Sequence, residues 1–180
     1  MPKNDENKPS KEEGKASSAE EFIYEQIKHR YDFENTRTDA LDSKASNLVG
    51  WVGLIISIMS AWTGITLERD ESLSLSFHEN VLLVAMFVFL VGSLFFSLVA
   101  FRLSNYSVVP EPRPFMNTYK TKTHSWTLRK FTATMVDAIE NNLKKNNQKA
   151  SFIVIAWALF LVGMSSTATF IIKLAFKLSG

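Results

Sequence analysis

Residues 80–101 read NVLLVAMFVFLVGSLFFSLVAF and contain no charged side chain. An α-helix rises about 1.5 Å per residue, so a run of this length can cross the hydrocarbon core of a bilayer, about 30 Å thick. Two further uncharged runs, residues 47–67 and 150–172, lie on either side of it along the chain. The sequence therefore predicts an all-α protein built as a three-transmembrane-helix bundle.

The polar residues are concentrated between these apolar runs. The first 17 residues are rich in Lys, Glu, Asn, Ser and Pro and lack aromatic residues, so we expect a disordered tail there. Residues 18–180 are expected to form a single membrane domain. Its predicted parts are a cytosolic helix 18–46, a first span 47–67, an outer loop 68–79, a second span 80–101, a Pro-rich linker with a cytosolic helix 102–149, a third span 150–172 and a C-terminal tail 173–180.

The two polar helices are expected to continue without a break into the first and third spans. Ser18 with Glu21, and Ser76 with Glu79, have the spacing of a capping box, which marks the start of a helix. Side chains at three-four spacing form an amphipathic stripe on each polar helix, and such stripes can pair with each other or with those of another subunit, as in a coiled coil. The stripes contain Tyr24, Ile27, Tyr31, Glu34, Thr38, Leu41, Ala45 and Leu48 in the first helix and Leu128, Phe131, Met135, Ala138, Ile139 and Leu143 in the second.

Lysine and arginine are unevenly distributed among the polar segments. Residues 1–46 contain eight, residues 68–79 one and residues 102–149 nine, and two more follow the third span. Because cytosolic loops carry the excess of Lys and Arg, both rich segments should lie in the cytosol. Three spans satisfy this pattern, so we expect a multi-pass protein of the cell membrane with a cytosolic N-terminus and an outside C-terminus.

Several classes of chemistry lack their usual sequence signals. The chain has no cysteine, which excludes disulfides, thiol catalysis and Cys-ligated metals. His29, His78 and His124 fall in separate segments without metal-ligand spacing. The net charge is only +2, and no phosphate-binding or nucleophile motif is present. We therefore expect a non-enzymatic protein without a cofactor, a metal or a nucleic-acid partner.

The entries to the first and third spans share the tripeptide Lys-Ala-Ser, at Lys44 and at Lys149. One interpretation is a paired basic ring that binds an anion, a lipid headgroup or an acidic residue of a partner helix. The other, which we favour, is that lysine is the ordinary cytosolic flank of a membrane span. Arg37, Asp39 and Asp42 lie close to the same boundary and favour a buried polar cluster.

The predicted spans also carry small residues at helix-contact spacing. Such residues let two helix backbones approach closely, either within one bundle, which we favour, or between subunits that assemble around a pore. These helix-packing or pore-lining candidates are Gly53, Ser57 and Ala61 in the first span, Ser93 and Ser97 in the second, and Gly163 and Thr167 in the third. Further hydroxyl side chains that could line such a pore are Ser60, Thr63, Ser165, Ser166 and Thr169.

One resemblance rests on the two span entries. The first is a charged helix with Arg37 followed by Asp42-Ser43-Lys44-Ala45-Ser46-Asn47-Leu48, and the second is Ile139 followed by Asn146-Asn147-Gln148-Lys149-Ala150. Over roughly residues 20–175 this arrangement resembles the Pycsar-effector and SLATT-like small prokaryotic multi-pass membrane proteins. The resemblance implies an effector of nucleotide-signalled phage defence that oligomerises and impairs the inner membrane. It also implies that Asp42 and Lys44 matter structurally, and it supplies no ligand site.

Three functions are compatible with these patterns. The first is an oligomeric membrane-disrupting effector with the bilayer and further copies of the chain as its partners. The second is a membrane scaffold or accessory subunit whose helical stalks, the two predicted cytosolic helices, dock a cytosolic protein. The third, an intramembrane enzyme or a transporter, is the least favoured because the predicted spans contain no ionisable side chain.

Overall fold

The computed structural model describes residues 16–69, 75–103 and 122–179. They form three helices, α1 (Ser18–Arg69), α2 (Phe77–Arg102) and α3 (His124–Ser179), and this described part contains no strand. The prediction of an all-α fold is therefore confirmed for these described residues. The predicted tail up to residue 15 and most of the Pro-rich linker lie outside the described residues.

The three helices are long and apolar enough to cross a membrane. Within the apolar window of each helix, only 22% of the residues are buried inside the chain, and outward-facing side chains include Trp51, Val84 and Leu161. A water-soluble bundle would bury most of such apolar surface, whereas lipid solvates it. This exposure supports a multi-pass membrane protein.

The helix bounds differ from the predicted spans. α1 continues to Arg69 and α2 begins at Phe77, so the connection between them is shorter than the predicted loop 68–79. α1 and α3 contain 52 and 56 residues, so each extends far beyond the apolar run that it contains. No proline interrupts either helix, and the main-chain hydrogen bonds can therefore continue from the polar into the apolar part.

Capping boxes begin the first two helices. At α2 the predicted pair is confirmed, because the Ser76 N–H donates to Glu79 Oε2 over 2.7 Å and the Glu79 N–H donates to Ser76 Oγ over 3.4 Å. At α1 the cap is Ser17 with Glu20, one residue before the predicted pair. Both serines have a glutamate three residues later, and Glu20 is the glutamate that is also held by Arg129 of α3.

The chain divides into two compact units. Unit 1 holds Met1–Thr36 and Asn105–Lys144, and unit 2 holds Arg37–Ser104 and Lys145–Gly180. Within unit 1, α1 and α3 run parallel, because Glu20 contacts Ser125 and Arg129 while the ring of Tyr24 lies 6.0 Å from that of Phe131.

Unit 2 is a three-helix bundle in which α1 and α3 are also parallel. Thr38 contacts Asn146 at one end of the pair, and the rings of Trp62 and Phe170 meet edge to face at the other, 6.5 Å apart. α2 runs antiparallel to α3. The main apolar core is formed by all three helices and contains Leu48, Val52, Met59, Met86, Leu90, Ala156, Phe170 and Leu174.

The stripe predicted for the first helix is its inward face. Every stripe position from Glu34 to Leu48 is buried, and Tyr24, Ile27 and Tyr31 are half-buried. In α3 the buried positions include three polar residues that the predicted stripe left out, Asn142, Asn146 and Lys149. The buried positions of α3 are therefore more polar than its predicted apolar stripe.

Candidate functional site

Side chains of α1 and α3 form a polar cluster in unit 2, just before the apolar part of each helix. We call Arg37, Thr38 and Asp42 of α1 with Asn146, Asn147 and Lys149 of α3 the boundary cluster. Thr38, Asn146 and Lys149 fall on the inward faces, in register with the apolar positions that follow, such as Ala45 and Ile153. The same periodicity that builds the core therefore brings these polar groups together.

At least three side-chain contacts join the two helices within the boundary cluster. Arg37 donates from Nη2 to Asn147 Oδ1 over 2.8 Å, and Thr38 donates from Oγ1 to Asn146 Oδ1 over 3.1 Å. The third contact is an ion pair in which Lys149 Nζ donates to Asp42 Oδ1. All three run from α1 to α3, so the cluster links these two helices at one level.

The electrostatic balance of the cluster depends on Lys149. Its side chain is 0% exposed, whereas that of Asp42 is 31% exposed. A buried ammonium group loses its hydration, and the loss is offset only where a carboxylate and further hydrogen-bonding groups replace the water. Asp42 supplies that carboxylate from the neighbouring helix, which makes the burial of Lys149 conditional on the presence of α1.

The boundary cluster contains three of the five residues predicted for it. Arg37, Asp42 and Lys149 come together, while Asp39 and Lys44 are exposed. The lysines of the two Lys-Ala-Ser tripeptides are not equivalent in the protomer, because Lys149 is buried and Lys44 faces outward. A shared tripeptide does not set the rotation of a helix about its axis, and that rotation decides which lysine is buried.

The asparagine partners are what sequence reasoning missed. Asn146 and Asn147 were part of the span-entry motif without an assigned contact, although Asn146 is fully buried. A signal was present, because Asn142, Asn146, Lys149 and Ile153 continue a three-four spacing through the polar residues of α3. If the three-four spacing had been continued through polar positions as well as apolar ones, it would have identified Asn146 and Lys149 as inward-facing residues of the cluster.

The small residues of α2 and α3 serve packing inside unit 2. Ser93 and Ser97 are fully buried, and Ser93 Oγ donates to the Ala156 carbonyl of α3 over 2.8 Å. At Gly163 a β-carbon would lie only 3.0 Å from the side chain of Leu90, so the two helices approach closely there. Thr167 is also buried and donates to the Gly163 carbonyl over 2.9 Å.

The small residues of α1 face outward instead. Ser57 and Ala61 are exposed, and a β-carbon at Gly53 would meet no atom within 4 Å. The Ser57 hydroxyl donates to the Gly53 carbonyl over 2.9 Å, so its donor is satisfied within the helix. We call Gly53, Ser57 and Ala61 the outer small face. The predicted helix-packing set therefore splits into an inner group and an outer group.

Hydroxyl groups also lie on the outside of α3. Ser165, Ser166 and Thr169 line a shallow groove of about 340 Å³ together with Leu82 of α2. Each hydroxyl donates to the carbonyl four residues earlier, over 2.9 to 3.0 Å. These side chains therefore have their donors satisfied while their oxygens remain on the surface of the protomer.

Unit 1 carries its own ion pair at the start of α1. The Glu20 carboxylate accepts from Arg129 and from the Ser17 N–H, and these hydrogen bonds lower the pKa of Glu20 below its ordinary value of 4.5. Beside this pair, Phe22 and Ile23 are exposed, as are Phe33 and Trp126 elsewhere in the unit. Exposed aromatic residues outside an apolar run are typical of a surface that contacts another protein.

The described residues contain no group of three or more His, Asp or Glu that could hold a metal ion. At the opposite end of unit 2 from the boundary cluster, Lys177 Nζ lies 3.4 Å from Glu79 Oε2 and ties the end of α3 to the start of α2. The arrangement of polar groups in unit 2 thus fixes helices against each other.

Comparison with known proteins adds no family assignment. The chain matches no protein-family model, no curated protein and no solved structure.

Proposed function

We propose that the protein is a non-enzymatic membrane effector whose copies assemble in the cell membrane and impair it, as part of a nucleotide-signalled phage-defence system. Two features support this proposal. The span entries Asp42-Ser43-Lys44-Ala45 and Asn146-Asn147-Gln148-Lys149-Ala150 resemble those of Pycsar-effector and SLATT-like proteins, and the three apolar helices suit a small membrane protein. The N-terminus is proposed to lie in the cytosol and the C-terminus outside.

The observation that carries the proposal is the outer small face of α1. Side chains as small as those of Gly53, Ser57 and Ala61 let another helix approach closely, and the van der Waals packing that results favours helix association in lipid. In α3, the space beside the comparable residue Gly163 is already filled by the side chain of Leu90. The outer small face has no such neighbour around Gly53 and is available to another copy of the chain.

The outward hydroxyls of α3 suit the lining of a pore between copies. Ser165, Ser166 and Thr169 have their donors satisfied within the helix, so they can face lipid in a single protomer at little cost. Their oxygens can still accept hydrogen bonds from water if assembly places them around a lumen. The same surface therefore suits both an isolated and an assembled state.

The test is a dye-leak assay on liposomes that contain the purified full-length chain, run with and without a panel of cyclic nucleotides. The mass of the protein in detergent is measured in parallel. Wild-type chain is expected to assemble and to release dye in at least one of these conditions. Strictly monomeric chain that releases no dye in any of them would refute the effector function.

Gly53→Leu is the matching variant, because a β-carbon at Gly53 would meet no atom within 4 Å in the protomer, and the larger side chain would fill the outer small face. It is expected to keep wild-type helicity and thermal stability while losing assembly and dye release. Val84→Leu, at an outward position of α2, is the control and is expected to behave as wild type. Wild-type assembly and leakage by Gly53→Leu would rule out the outer small face as the contact.

A second function, a membrane scaffold that docks a cytosolic protein through its helical stalks, is favoured by the exposed aromatic residues of unit 1. Phe33 and Trp126 lie outside the apolar runs, where lipid does not account for their exposure. If this is the main function, Phe33→Ser should reduce binding of the partner, and the wild-type chain should leave liposomes intact. Dye release that is unaffected by Phe33→Ser would favour the effector instead.

A further inference from the structure

The parallel pairing of α1 with α3 has an alternative that the apolar residues do not exclude. In unit 2 both helices present apolar side chains at three-four spacing, Leu41, Ala45 and Leu48 on α1 and Ile153 and Ala156 on α3. We call this line of inward-facing side chains between α1 and α3 the seam. Apolar side chains at this spacing also suit two identical helices in parallel, as in a homodimeric coiled coil. The α3 helices of two copies could therefore pair with each other unless some residue opposes it.

The hydrogen bonds of the boundary cluster do not all oppose such pairing. Asn146 accepts from Thr38 in this structure, but an asparagine can also bond to the same asparagine of an identical helix. The contact between Thr38 and Asn146 is therefore compatible with either arrangement. This contact is consistent with the position of the seam, but it does not determine which helix pairs with α3.

Lys149 does choose. Its ammonium group is fully buried between the helices and is balanced by the Asp42 carboxylate of α1. In a parallel pair of α3 helices, two such ammonium groups would face each other, and α3 has no carboxylate at Asp42's position relative to the seam. Like charges opposed in a buried contact are strongly unfavourable, and such opposition is a common source of partner specificity.

We propose that the Asp42–Lys149 ion pair determines the partner of α3, selecting α1 and excluding the α3 helix of a second copy. The seam between α1 and α3 is thereby reserved for closing the bundle. Contacts between copies must use other surfaces. This inference concerns how the bundle is closed and holds whether or not the protein permeabilises membranes.

The natural absence of cysteine allows a direct test by disulfide cross-linking. Ile153 is buried in the seam one turn beyond Lys149, so Ile153→Cys reports on whether two α3 helices meet there. The full-length chain in membranes is oxidised, and the dimer is measured on non-reducing gels. Ile153→Cys alone is expected to give little dimer.

Adding Lys149→Met to Ile153→Cys removes the buried charge and keeps a long side chain. The dimer fraction is expected to rise about tenfold, which corresponds to a change of 1.4 kcal/mol in favour of α3 pairing. The control is Lys44→Met, the exposed lysine of the same tripeptide, which should leave the dimer fraction unchanged. An equal rise with Lys44→Met, or no rise with Lys149→Met, would overturn the proposal.

Exchanging the two charged residues of the ion pair distinguishes an effect on the partner of α3 from a general destabilisation of the fold. In Asp42→Lys with Lys149→Asp the attraction between α1 and α3 is restored with reversed sign, while two α3 helices would again oppose like charges. The dimer fraction of Ile153→Cys in this background is expected to stay as low as with the native pair. A rise like that caused by Lys149→Met would contradict the assignment.

Discussion

Asp42→Asn removes the carboxylate that balances Lys149 and changes almost nothing in size. Lys149 is 0% exposed in its side chain, so its ammonium group cannot regain water without opening the contact between α1 and α3. The opposite replacement, Lys149→Met, leaves a carboxylate that is 31% exposed and can turn toward water. Because of this asymmetry, the two halves of one ion pair should not cost the same to remove.

The expected magnitudes follow from burial. Leaving one charge of a buried pair without its counter-charge costs about 3–5 kcal/mol, and we expect Asp42→Asn at about 3 kcal/mol because the amide oxygen can still accept a hydrogen bond. Lys149→Met should cost about 1 kcal/mol, the value of an ordinary lost hydrogen bond. The double variant keeps neither charge and should resemble Lys149→Met, so the two changes are coupled by about 3 kcal/mol.

The assay is unfolding of the full-length chain in detergent micelles, followed by the loss of helical circular dichroism. Lys44→Met is the matched control and should stay within about 0.5 kcal/mol of wild type, because that lysine is exposed. The reasoning is refuted if Asp42→Asn is no more costly than Lys44→Met. It is refuted equally if Lys149→Met is the more damaging half of the pair.

Three further predictions concern other parts of the molecule. The Arg129 hydrogen bond lowers the pKa of Glu20, so its stabilisation is complete at neutral pH and is lost as the pH falls through that lowered pKa. Thermal melts between about pH 6 and pH 3 should therefore show a smaller loss of stability for Glu20→Gln than for wild type, and equal losses would contradict this. Gly163→Val should destabilise the bundle by about 2 kcal/mol in the micelle unfolding assay, because its side chain collides with Leu90, and an unchanged stability would show that the helices can separate there. Ala175→Cys should react with a membrane-impermeant maleimide on intact cells, and labelling only after permeabilisation would place the C-terminus inside.

The sequence was sufficient to predict that the chain is helical, and the reason is chemical. Within lipid every main-chain N–H and C=O group must be satisfied inside the segment, so an uncharged run as long as residues 80–101 has few alternatives to a helix. The extension of α1 and α3 beyond their apolar runs was also predictable, because no proline breaks their hydrogen bonding. Capping was predictable to within one residue, since Ser17 and Ser18 are both followed by a suitably placed glutamate.

The partners of the polar residues were harder to predict from sequence. Lys44 and Lys149 stand in the same tripeptide, yet one is exposed and the other buried. Their difference comes from the angle at which each helix faces its neighbour, which is set by packing along its whole length. Gly53 and Gly163 illustrate the same limit, because only the tertiary contacts separate the glycine that meets Leu90 from the one that meets nothing.

Some small and polar residues face the inside of the bundle and others face outward. This division suggests a reason for the boundary cluster. Apolar residues at Thr38, Asn146 and Lys149 would hold α1 against α3 at least as firmly, since a buried ion pair is often no more stabilising than well-packed apolar side chains. An all-apolar seam, however, would contain no charge that opposes the α3 helix of another copy. If copies meet through the outer small face around Gly53, as proposed, they must be kept from meeting through the seam. A buried lysine with its carboxylate on the other helix meets that requirement at modest cost in stability, and it explains why the charge lies at the seam instead of on the surface.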